Sequence, residues 1–147
     1  MNNIVLKKNF LLFIIFSIIF AIFFLYIKHN VGNDSSVSEW LINYNGGFTR
    51  RGLGGEIAIM IANLFGFSLR ESIFFLQSLF HVSFLVLVFL YLKNLKINII
   101  QLFAIYAPIF LLYPIAEIEV LGRKEMVLFL SFIVALFLCE KKIQKNI

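Results

Sequence analysis

Phe10–Ile27 is a run of 18 residues, apolar throughout except for Ser17. No other feature restricts the possible folds as much. At 1.5 Å per residue, a helix of this length comes close to crossing the ~30 Å hydrocarbon core of a bilayer. Lys7 and Lys8 precede the run like the start of a signal peptide, but the apolar stretch is too long and no small-residue cleavage site follows directly. It is read as a retained anchor.

Two similar runs follow: Ile73–Leu92, carrying Gln77, Ser78, His81 and Ser83, and Ile97–Ile115, with Pro108 and Pro114 in its second half. Proline inside an apolar span is tolerated where neighbouring helices or water satisfy the freed carbonyls. A fourth run, Met126–Cys139, has 14 residues. At ~21 Å it falls short of a crossing. Its helix must extend backward through Arg123 and Lys124, or forward past Cys139 to lysines that snorkel.

The chain is 61% hydrophobic and 14% charged, against about 25% charged in a soluble domain. The net charge of +5 therefore does not indicate a nucleic-acid partner. One cysteine and two histidines exclude a disulfide framework and a Cys/His zinc cluster. The expected fold is an all-α integral membrane protein. It forms a single helical membrane domain over 1–147, with about four transmembrane helices at roughly 10–27, 73–92, 97–115 and 121–139.

The longest connection, 29–71, contains the apolar stretch Ile57–Phe67, too short to span alone. It is read as an interfacial or re-entrant helix. Extending it to Leu53–Leu69 gives a fifth span, but one that includes Glu56 and Asn63. Lysines at both ends of the chain put both termini in the cytoplasm under the positive-inside rule, which favours four spans. Under that layout Arg50, Arg51, Arg70 and Arg123 all lie outside, and so does every acid but Glu140. The arginine fork suits bidentate contact with phosphate or carboxylate. The plainer reading is a set of loop charges paired with their neighbours.

Residues 40–56 read W-L-I-N-Y-N-G-G-F-T-R-R-G-L-G-G-E and hold five of the eight glycines. Gly46-Gly47, Arg50-Arg51 and a turn at Gly52 would set backbone amides and two guanidinium groups on one concave surface. A helix starting near Gly54-Gly55 would aim its N-terminal amides the same way, towards a phosphate. The alternative is a flexible loop with its arginines on lipid headgroups. His81 is expected to hydrogen-bond between helices. Trp40, Tyr26, Tyr44, Tyr91 and Tyr113 fall near span boundaries, as in an aromatic belt.

Y-N-G-G-F-T-R-R-G-L-G-G-E, together with G-R-K-E at Gly122–Glu125, resembles a pattern in multi-spanning membrane proteins of bacterial surface-polysaccharide clusters. These are similar to GT-C type glycosyltransferases and O-antigen polymerases. The resemblance implies a membrane glycosyltransferase or polymerase-like protein of the bacterial inner membrane that uses a polyprenyl-phosphate-linked sugar. It also implies catalytic carboxylates early in the first external loop, here Asp34, then Glu39, with Glu56 the third acid of that loop. Tyr44, Gly46, Gly47, Arg50, Arg51, Arg123 and Lys124 would bind the substrate and its phosphate. Such proteins carry many more spans, so the chain corresponds to their N-terminal portion only. It is a fragment, a truncated reading frame or a small relative.

Glycosyl transfer needs a base for the acceptor hydroxyl and cations for the departing phosphate, and both residue types share one face in the four-span layout. The competing reading is a non-enzymatic membrane subunit that binds anionic lipid or a larger membrane partner. A small four-span exporter fits poorly, because no carboxylate lies within Phe10–Ile27. The residues specify no metal, cofactor, sugar or acceptor.

Overall fold

The computed structural model of the chain describes residues 3–31, 35–49, 52–93, 104, 107 and 120–145; of 3–6 and 140–145 it describes the backbone. The described residues form five helices and no strand: α1 (Asn3–Asn30), α2 (Ser35–Leu41), α3 (Leu53–Phe65), α4 (Leu69–Leu92) and α5 (Glu125–Lys145). The expected span at 97–115 lies outside the described residues apart from Ala104 and Ala107.

α1 and α4 are long and apolar enough to cross a membrane. They pack antiparallel. Phe10 stacks on Phe89 at 5.7 Å at one end, and Tyr26 and His29 meet Phe74 at 6.2 and 5.4 Å at the other. α5 runs parallel to α4, with Phe84 against Phe129 at 6.2 Å and Tyr91 against Phe137 at 5.5 Å. The start of α1 and the end of α5 therefore share one end of the bundle, while Lys93 and Val120 lie at opposite ends. Phe10, Ile14, Leu25, Leu85 and Leu121 belong to the core between these helices.

The outer faces are as apolar as the core. Phe16, Ile19 and Phe23 on α1 are 66%, 61% and 57% exposed. Water disfavours such a surface and hydrocarbon tolerates it. Ser17, the one polar residue of the run, is buried and donates to Phe13 O at 2.9 Å. The α1 ladder thus satisfies it without a partner helix.

One boundary differs from expectation. The span expected at 121–139 begins at Glu125, and Leu121–Lys124 form turns ahead of it. Gly122 sits at φ 87°, a left-handed conformation that interrupts a helix. The helix gains its length at the other end, reaching Lys145. The stretch Leu53–Leu69, the alternative fifth span, forms a short helix and a turn. α3 has 13 residues, ~20 Å of rise, too little to cross. Gly66 at φ 70° closes it, donating to Ala62 O at 2.8 Å, as left-handed C-caps do.

Ser68 then starts α4 with a reciprocal capping box. Glu71 N donates to Ser68 Oγ at 3.2 Å, and Ser68 N donates to Glu71 Oε2 at 2.7 Å. Ser68→Ala is expected to remove about 1 kcal/mol from this end of α4. Faster hydrogen exchange confined to the first turn of α4 would show it, and unchanged protection at Glu71 would refute it.

α3 lies on the first half of α4. Gly55 and Ala58 face inward, and Ala58 joins Val37, Trp40, Ile73 and Leu76 in a second core cluster. Its opposite face is a stripe of Leu53, Ile57, Met60 and Leu64, exposed at 63%, 37%, 60% and 72%. At this spacing the four side chains share one side of the helix.

Candidate functional site

The last four residues of the 40–56 motif begin α3, and their glycines are needed for packing. A Cβ on Gly55 would collide with the carbonyl oxygen of Ile42, and one on Gly54 would lie 3.1 Å from the Trp40 ring and 3.3 Å from Lys124 Cε. Absent side chains therefore let α3 lie directly on the α2 end. The helix starts at Leu53 after Gly52, next to the Gly54-Gly55 pair near which its start is expected.

Gly52 N donates to Thr49 O at 3.2 Å, and Tyr44 packs where a Cβ of Gly52 would sit. Tyr44 also stacks on Phe48 at 5.7 Å with the rings 4° from parallel. It supports the turn, which Gly47 N to Tyr44 O at 3.0 Å closes. Gly46 and Gly47 are exposed with no other atom near their Cβ positions, and Gly47 adopts φ 114°. Asp34, Arg50 and Arg51 lie outside the described residues.

A cleft of about 790 Å³ opens between α2, α3, α4 and the start of α5. Trp40, Leu53, Ile57, Leu76, Phe80, Val127 and Leu128 form its apolar walls, and Glu39, Lys124 and Glu125 supply its charges. It lies beside Leu76 and Phe80, roughly 10–16 Å along α4 from Leu69. Two of the expected site residues, Glu39 and Lys124, are thus brought to one cavity. Arg123 is half-buried in the preceding turn and is not among the lining residues. Glu56 lies in the first turn of α3, off the cleft wall, with Oε2 buried and no hydrogen-bond partner among the described residues.

The turn carrying Lys124 is held from three helices. Trp40 Nε1 on α2 and Gln77 Nε2 on α4 both donate to Gly122 O, at 2.7 and 2.8 Å. Lys28 Nζ on α1 donates to Leu121 O at 2.8 Å. Arg123 N closes the turn on Val120 O at 3.1 Å. Lys124 Nζ then sits 5.8 Å from the centre of the Trp40 ring, within cation–π range.

Trp40 is more than a boundary aromatic, since it is buried, stacked on Phe80 at 5.8 Å and hydrogen-bonded. Gln77 and Gly122 were not candidates in the sequence. An amide inside an apolar helix was the available signal, since such groups seek a partner. His81 Nδ1 lies 2.8 Å from Gln77 O in its own helix. The carbonyl accepts only, so Nδ1 carries the proton.

The cleft joins an apolar trough to one ammonium and two carboxylates. It can seat an amphipathic molecule with its chain along the trough and its polar end at Glu39, Lys124 and Glu125. Among the described residues the fold is a helical bundle with two helices long and apolar enough to cross a membrane. No protein-family profile, characterised protein or solved structure matches the chain.

Proposed function

We propose that the chain is a multi-pass protein of the bacterial inner membrane that handles a polyprenyl-phosphate-linked sugar in surface-polysaccharide assembly. In this reading α3 is re-entrant, with Met60 and Leu64 of its apolar stripe in lipid. Both termini are cytoplasmic, in keeping with the shared end of α1 and α5 and with the lysines at Lys7, Lys8, Lys141, Lys142 and Lys145. The observation that carries the reading is the cleft, with Glu39 and Lys124 at an apolar trough. The trough takes the lipid chain and Lys124 faces its phosphate. Glu39, with Asp34 just ahead of α2, supplies the carboxylate that glycosyl transfer asks of a general base. Arg50, Arg51 and Arg123 serve the same phosphate.

The test is complementation of a strain lacking the native gene. Glu39→Gln or Asp34→Ala is expected to lower polysaccharide assembly by about 10²-fold or more, the contribution of a general base. Lys124→Ala should weaken binding of polyprenyl phosphate by roughly 10–100-fold, the scale of a charged hydrogen bond. Full assembly with all three substitutions would remove the enzymatic reading. Binding lost with Lys124→Ala while assembly needs neither carboxylate would identify a non-enzymatic lipid-binding subunit.

A further inference from the structure

We infer that Gln77 and Trp40 are positioning residues for Lys124, acting through the carbonyl of Gly122. The inference rests on the lipid-phosphate reading of the cleft, and its test separates the two.

Two buried donors converge on one oxygen, Trp40 Nε1 at 2.7 Å and Gln77 Nε2 at 2.8 Å. A carbonyl has two lone pairs, so Gly122 O is saturated. The convergence leaves little freedom in the turn. Gly122 is held at φ 87°, and a Cβ there would lie 2.9 Å from Gln77 Nε2 and 3.1 Å from Leu25 Cδ2. Leu121, fully buried, ties down the preceding residue, and its carbonyl accepts from Lys28.

Anchoring α5 does not require an amide at position 77. Leu121 and Met126 are already buried in the core, and a leucine on α4 would pack there without a polar group to satisfy. What the amide adds is orientation. It fixes the carbonyl two residues ahead of Lys124, and the lysine stem then runs beside both the Trp40 ring and Gly54. An added Cβ on Gly54 would lie 3.1 Å from that ring and 3.3 Å from Lys124 Cε. The ammonium is therefore placed over the indole, at a cleft shared with Glu39 and Glu125.

Trp40 is the sole tryptophan of the chain, so its emission reports the site directly. The full-length protein in nanodiscs is titrated with polyprenyl phosphate while Trp40 fluorescence and the thermal midpoint are followed. Gln77→Leu and Gly54→Ala are each expected to raise Kd about tenfold. Gly54→Ala should stay folded with a midpoint no higher than the parent's, because its Cβ crowds the buried Trp40 ring at 3.1 Å in the first turn of α3. On a Lys124→Ala background, Gln77→Leu should change Kd no further, the non-additivity of a shared pathway. Unchanged Kd in folded Gln77→Leu and Gly54→Ala would overturn the assignment, as would effects that simply add to Lys124→Ala.

If the parent protein binds no polyprenyl phosphate, the proposed function fails and the positioning role is read from chemistry alone. Acylation of Lys124 by an amine-reactive ester, followed by mass spectrometry, should run several-fold faster in Gln77→Leu and Gly54→Ala. Equal rates in parent and variants would then end the proposal.

Discussion

Trp40→Ala is expected to destabilise the folded bundle by about 3–5 kcal/mol, the cost of truncating a large buried aromatic. The ring is 3% exposed, stacks on Phe80 at 5.8 Å, and joins Val37, Ala58, Ile73 and Leu76 in the cluster that holds α2 and α3 on α4. Truncation also removes one of the two donors to Gly122 O. Trp40→Phe keeps most of the apolar contact and loses that donor, so about 1 kcal/mol is expected. Reversible denaturation in mixed micelles, read by helical circular dichroism, distinguishes the two. A Trp40→Ala midpoint within error of the parent would mean that α2 does not dock as described.

The second large effect concerns Gly55. A Cβ at this position meets the backbone carbonyl of Ile42, with the Trp40 carbonyl oxygen also at 3.0 Å. No side chain can rotate away to make room, so α3 must move from α2. Overpacking of this kind typically costs 1–3 kcal/mol, and Gly55→Val should lie at or beyond about 3 kcal/mol. Gly46→Ala, in the same motif, meets nothing within 4 Å. It is expected to stay within about 0.5 kcal/mol, as surface changes do. Equal effects at the two positions would show that the motif glycines are not divided between packing and turn.

That division bears on the motif as a whole. Were all five glycines there for close approach of a ligand, all five would be open. Instead Gly52, Gly54 and Gly55 are crowded by Tyr44, Trp40, Lys124 and the Ile42 backbone, while Gly46 and Gly47 are open. Glycine spacing looks the same in a sequence whether a ligand or a neighbouring helix fills the vacated space. The distinction between those uses lies in the neighbours, which are remote in sequence.

The apolar runs by themselves determined that the chain is helical, with helices long and apolar enough to cross a membrane. They also located α1 and α4, because a continuous apolar stretch of membrane length has few other solutions. Glu39 and Lys124, both named from the sequence, meet in one cleft. Only the tertiary structure decided that Gly122 breaks the helix before Glu125, and that Trp40 and Gln77 close on its carbonyl. Those hydrogen bonds join residues 82 and 45 positions apart. Hydropathy records whether a side chain prefers lipid or water, and carries no record of which buried donor will find which carbonyl.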